Sequence, residues 1–160
     1  MPSVTPTFVA FPRGPRYAAI GFSAVLIVGA IIAFDALGPD VRSRFTPFQI
    51  VTLVIFLVVM VTFMCALGFS SIRVQPGGLW FRNGLRTHEL PWSDVGPIHF
   101  GAGAPWPQLV LRGASAEGDR ETMMLMGIQG SDKAYAQGQY EALLVAVAAA
   151  RRVAEGSSDE

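Results

Sequence analysis

Residue types able to do acid–base, nucleophilic or metal chemistry are sparse along this chain of 160 residues, and their spacing assembles no catalytic constellation. His88 and His99 fall on segments that read as strands, with no cysteine or carboxylate at metal-ligand spacing, so ordinary strand histidines are expected. The single cysteine, Cys65, excludes an intrachain disulfide. It sits inside an apolar run with no cation beside it in sequence to activate a thiolate, so it reads as a small hydrophobe. Gly77-Gly78 and Gly101 to Gly103 are not followed by a helix carrying a phosphate-loop lysine and are expected to be turns. Asp94, after Trp92 and Ser93, is expected to bond its own backbone in a turn rather than act as a base. Met123, Met124 and Met126 suit core filling better than a cofactor box. The residues therefore predict no catalytic site, no metal, no cofactor and no small-molecule substrate.

What remains is a set of arginines, tryptophans and small residues. Arg73 follows the longest apolar run directly, and Arg82 and Arg86 flank Asn83-Gly84. Guanidinium forks match phosphate oxygens, which makes Arg73, Arg82 and Arg86 candidate lipid-headgroup contacts. A count weighs against a general affinity for anionic membranes: from Ser70 to Glu160 there are eight basic residues and ten acidic ones. At about 1 kcal/mol per basic residue near the surface, three arginines bias orientation and do not make an anchor. Trp80 and Trp106 are candidate exposed aromatics for protein docking. Ala19 with Ser23, and Gly29 with Ala33, are small pairs at helical spacing that let a second helix approach, with Gly29 and Ala33 as candidate contacts to another subunit. Lysine plus arginine equals aspartate plus glutamate at 12 each, so nothing points to a nucleic-acid partner.

The elements that must position these groups follow from where the apolar residues lie. Hydrophobic residues make up 51% of the chain and charged ones 15%, and the excess is concentrated in two runs. Phe45 to Ile72 carries no charge between Arg44 and Arg73, and Tyr17 to Phe34 carries none before Asp35. A bilayer core of about 30 Å needs roughly 20 apolar residues, so transmembrane helices are expected over 17–37 and 48–69. The first run exceeds the roughly 7 to 15 apolar residues of a signal peptide and is followed by no small-x-small cleavage site. The connector Gly38 to Pro47 is short and polar, so residues 17–69 form an antiparallel hairpin. Before it, residues 1–16 contain Pro2, Pro6, Pro12 and Pro15 and predict a flexible arm. Arg13, Arg16 and Arg73, with Arg82 and Arg86, outnumber Arg42 and Arg44 in the connector, which places both termini in the cytoplasm.

After Ser71 the period changes to two. Six strands are expected: Ile72 to Gln75, Leu79 to Arg82, Leu85 to Leu90, Val95 to Ala102, Gln108 to Arg112 and Glu121 to Ile128. Asn83-Gly84 should supply the turn of a tight hairpin with both residues at positive φ, and a polar turn spans Gly113 to Arg120. Ser131 is the expected N-cap of a final helix to about Ala154, with Asp132 near its positive end and Gly156 as its stop. Tyr140, Leu143, Leu144, Val147 and Ala148 form its expected apolar stripe. Residues 156–160 read as a disordered tail.

Short antiparallel strands closed by one helix describe a small barrel or sandwich. The runs Ile72-Arg-Val, Gly78-Leu-Trp-Phe-Arg-Asn83, Glu89-Leu-Pro-Trp-Ser-Asp-Val95 and Leu109-Val-Leu-Arg112, with the closing helix, resemble the bacterial pleckstrin-homology (PH) domains of small actinobacterial membrane proteins with two transmembrane helices. The arginine-dominated, Ala- and Gly-rich composition suits a GC-rich bacterial genome. The resemblance implies a membrane-anchored α+β protein, with the hairpin followed by a PH-like antiparallel β-barrel or sandwich over 70–155, capped by the C-terminal helix. The six expected strands are one fewer than the seven of the PH fold. The missing one should lie within Val95 to Pro107 or be absent, and the basic cluster that holds inositol phosphates in eukaryotic relatives is not present as a pattern. The motifs are structural and support fold more than activity. The expected role is a non-enzymatic accessory subunit in the bacterial plasma membrane, meeting membrane lipids and other integral membrane proteins such as a respiratory-chain assembly. The alternative is a module that binds anionic lipid headgroups at the cytoplasmic face.

Overall fold

The structure, a computed structural model, describes residues 7–113 and 121–156. Residues 1–6, the expected turn from residue 114 to Arg120 and the acidic end Ser157 to Glu160 lie outside them. Strand β1 (Phe8–Ala10) opens the fold, followed by helix α1 (Arg13–Ala36), the single turn α2 (Gly38–Arg42) and helix α3 (Pro47–Gly68). Strands β2 (Ser71–Gln75), β3 (Gly78–Asn83), β4 (Arg86–Pro91), β5 (Val95–His99), β6 (Gln108–Leu111) and β7 (Thr122–Met124) follow. A 3-10 turn at Gly130–Asp132 leads into helix α4 (Ala134–Gly156).

The strands form two antiparallel sheets, β1-β2-β3-β4 and β5-β6-β7, and these do not close into a barrel among the described residues. The sandwich half of the expectation holds. The expected strand count is corrected. The seventh strand lies outside Val95 to Pro107 and stands ahead of the helical hairpin, where Phe8, Val9 and Ala10 pair with Val74, Arg73 and Ile72. From Phe8 on, the segment read as a flexible arm is therefore built into the sheet, and α1 already begins at Arg13. Three residues are too few to display an alternation, and the partner of this strand lies across the whole hairpin, so no local pattern announces it.

Alternation does set the register once the strands pair. Ile72 and Val74 of β2, Leu79 and Phe81 of β3, and Ala10 of β1 are all fully buried, while Arg73 on β2 is exposed. They meet Val95, Ile98 and Leu109 of the second sheet, then Leu125 and Ile128, in one core. Burial of a side chain of this size stabilises by about 1.5–3 kcal/mol. Helix α4 covers the core with Ala136, Leu143, Val147 and Ala150, and Tyr140 adds a hydroxyl that donates to the Ile98 carbonyl at 3.0 Å. Of the expected stripe, Tyr140, Leu143 and Val147 meet the core, whereas Leu144 and Ala148 face outward, because the ladder that touches the sheets runs through 136, 140, 143, 147 and 150.

Helices α1 and α3 pack side by side and obey a different rule. Each is long and apolar enough to cross a membrane. At about 1.5 Å per residue, their 24 and 22 residues span about 36 and 33 Å, against about 30 Å for a bilayer core. Only Ala19 and Ser23 of α1 and Gly68 of α3 are buried, while Phe48, Phe56 and Ile31 are 79, 65 and 64% exposed. The distal end is closed locally. Thr46 and Gln49 form a reciprocal capping box at the start of α3, and Asp35 pairs with Arg42 at 2.9 Å.

Candidate functional site

The end of the hairpin that meets the sandwich is knitted to it by polar contacts. Pro12 precedes α1 and has no side chain with which to cap it. The cap comes from far along the chain: the Asp132 carboxylate accepts from the backbone N–H of Arg13 at 2.9 Å and of Gly14 at 3.0 Å. In the sequence Asp132 reads as a residue serving the C-terminal helix. It serves the positive end of α1 instead, because the 3-10 turn before α4 aims it there. Any side chain at residue 14 would collide with that carboxylate, so Gly14 is the residue the arrangement allows. Arg16 sits between the rings of Phe11 and Phe69, at 4.8 and 4.9 Å, and Arg13 lies 4.3 Å over Tyr135. Gly68 brings the end of α3 against Ala19 and Pro15, where an added Cβ would stand 2.6 Å from the Ala19 Cβ and 3.0 Å from the Pro15 carbonyl oxygen.

The three candidate headgroup arginines do not converge. Arg82 donates both Nε, at 3.0 Å, and a terminal nitrogen to the Phe69 carbonyl at the C-cap of α3, so it satisfies a helix end. Arg73 lies over Trp80, with its guanidinium carbon 4.6 Å from the ring centroid, and is its direct cross-strand partner. Arg86 is exposed beside the β3–β4 turn. Of the candidate docking aromatics, Trp80 is half-buried under Arg73 in a row across the outer face of the sheet, Val9–Arg73–Trp80–Glu89. Trp106 is half-buried in the loop between β5 and β6. The two small pairs of α1 separate cleanly: Ala19 and Ser23 are consumed by packing inside the chain, whereas Gly29 and Ala33 are exposed, with nothing within 4 Å of where a Gly29 Cβ would be.

The hairpin between β3 and β4 departs from its expected form. Asn83 pairs with Arg86, so the loop is Gly84–Leu85, with Gly84 alone at positive φ (62°), as type II′ turns place their glycine. Asn83 stays in the strand because its amide reaches across to the second sheet, donating to the Met124 carbonyl and accepting from the Met126 N–H at 3.0 Å. Leu85, read as a strand residue, becomes the apex of the turn and is 77% exposed.

Elsewhere the polar groups are structural. His88 stacks on Phe81 at 5.0 Å. The Asp94 carboxylate accepts the Ser93 hydroxyl at 2.7 Å, while the backbone N–H of Asp94 closes the turn on the Pro91 carbonyl. Arg151 bonds the Val95 and Gly96 carbonyls and lies near Trp92; burial lowers its pKa, nearby Arg112 lowers it further, and Glu155 opposes both. Among the described residues no three His, Cys, Asp or Glu side chains are placed to hold a metal. An open cleft of about 510 Å³ lies between the β5–β6 loop and the start of α4, lined in part by Phe100, Ser131, Lys133 and Gln137. Two residues that shape this end of the molecule are not marked for it in the sequence: Asp132 carries a capping signal without an address, and Leu85, exposed at the apex of the turn, carries none.

Residues 70–143 match the model of a family described as bacterial PH domain. Strand β1, both long helices and the end of α4 lie outside the matched span. No curated protein and no solved structure gives a match to the chain. Two antiparallel sheets followed by a closing helix are consistent with that family's fold, and PH domains are in general non-catalytic modules that bind lipids or proteins.

Proposed function

We propose that this chain is a non-enzymatic interaction subunit of the bacterial plasma membrane, anchored by the α1/α3 hairpin and docked through its sandwich onto another integral membrane protein. The carrying observation is where the hairpin is inserted. It leaves the sheet between β1 and β2, two hydrogen-bonded neighbours, so the sandwich is tethered at two adjacent points. With the Asp132 cap and the Arg82–Phe69 bonds added, the sandwich is held at one attitude to its anchor, as a docking module requires. Arg13, Arg16, Arg73, Arg82 and Arg86 lie at the sandwich end and Arg42 and Arg44 at the distal end, which supports a cytoplasmic sandwich.

Two surfaces suit a protein partner. Arg73 stacked on Trp80 is an aromatic–arginine anchor that is already ordered, and so loses little freedom on binding. Gly29 and Ala33 offer a close approach to a foreign helix. Respiratory-chain assemblies are one class of partner within this reading. Purification of the full chain in mild detergent tests it: stoichiometric membrane proteins should accompany the wild type and be lost from Trp80→Ala. A chain that comes out alone contradicts it.

Headgroup binding is the second reading, and Arg86, exposed beside the turn, is the observation in its favour. The engagement of Arg82 and Arg73 within the fold weakens it. A chain purified alone with anionic lipid, which Arg86→Ala then loses, would replace the first reading with this one.

A further inference from the structure

The apex of the β3–β4 turn stands beside the last turn of α3. The Gly84 N–H donates to the Ser70 hydroxyl at 3.1 Å, and a Cβ built on Gly84 would lie 3.8 Å from both the Cβ and the carbonyl oxygen of Ala66. Ala66 is inside the helix that ends at Gly68. One residue beyond Gly84, Leu85 is 77% exposed, although tight turns in water favour polar residues. The turn has little freedom to swing away, because Asn83 is tied to Met124 and Met126 and Arg82 to Phe69. The same last two turns of α3 that carry Ala66 also carry Phe63 and Leu67, 57% and 40% exposed, and Arg86 follows Leu85 directly in the chain.

We infer that the Gly84–Leu85 turn is a membrane wedge: Leu85 seats at the boundary between headgroups and acyl chains of the leaflet that the hairpin enters, with Arg86 at the level of the phosphates. This inference rests on the reading of α1 and α3 as membrane spans. Its argument is continuity, since the apolar surface of α3 runs into a rigidly held leucine at the same height. The sandwich would then lean on the bilayer at a third point, beyond its two covalent tethers.

The test places an environment-sensitive fluorophore on single cysteines in a Cys65→Ser background of the full chain. The labelled sites are Leu85→Cys, Phe56→Cys in the middle of α3 and the exposed His99→Cys, each reconstituted in phosphatidylcholine vesicles with a minor share of phosphatidylglycerol. The wedge predicts blue-shifted emission at Leu85, quenching there by nitroxide-labelled lipid, and iodide quenching several-fold weaker than at His99. Leu85 behaving like His99 while Phe56 is shielded would overturn the wedge and leave the spans intact. A Leu85 site that is aqueous in these vesicles and shielded only in native membranes would assign it to a protein partner, and overturn the wedge as well. Iodide reaching Phe56 would remove both the spans and the wedge.

Discussion

The sandwich and the hairpin are built from the same apolar residue types and treat them in opposite ways. Phe81 of β3 is 0% exposed, and Phe56 of α3 is 65% exposed. In the sandwich, expulsion of water drives the side chains together. In the hairpin, one helix leaves its whole apolar stretch uncovered and the other little less, so burial within the chain is not what satisfies them. The difference fits the proposal that one sequence is written for two solvents, with the polar groups concentrated at the junction holding the two parts in register. Asp132, Arg82 and Ser70 all act there, each on the end of a helix or the apex of a turn.

Substitutions can break that comparison, or sharpen it. The largest effect is expected from Phe81→Ala, which empties the centre of the sandwich and should cost about 3–5 kcal/mol, read as a loss of thermal stability of the purified chain in detergent. Next comes Gly68→Val, which forces side-chain atoms into Ala19 and the Pro15 carbonyl and should cost about 1–3 kcal/mol by the same measurement. Asp132→Ala removes the long-range cap of α1 and should cost about 0.5–2 kcal/mol, with Asp132→Asn recovering most of it because an amide oxygen also caps. The smallest effect belongs to Phe56→Ala. If lipid or detergent is the medium around α3, stability should change by less than about 0.5 kcal/mol, and a loss as large as that of Phe81→Ala would show that the helix is packed in a protein core.

Much of this architecture is legible in the residue order, and the parts that are not share a physical cause. Uncharged length announces α1 and α3, and alternation through Ile72, Val74, Leu79 and Phe81 announces the first sheet, because both signals are local and periodic. Strand β1 escapes because its meaning lies in Ile72 and Val74, beyond the hairpin. Asp132 reads as a cap, but the helix it caps is decided by tertiary placement. Asn83-Gly84 reads as a turn, yet the apex shifts by one residue because the Asn83 side chain is claimed by the second sheet, and that shift delivers Leu85 to the surface. For the candidate site, the types were visible and the company was not. Arg73 and Trp80 meet, while Arg82 is turned to a helix end.

The central claim is that the hairpin crosses a bilayer and separates the α1–α3 connector from the sandwich. Its most direct test is labelling of sealed bacterial spheroplasts with an impermeant maleimide, using Ser43→Cys in the connector and His99→Cys on the sandwich, each in the Cys65→Ser background. The account predicts that Ser43→Cys reacts in intact spheroplasts and His99→Cys only after lysis. Both sites reacting in intact spheroplasts, or neither reacting until lysis, would contradict it.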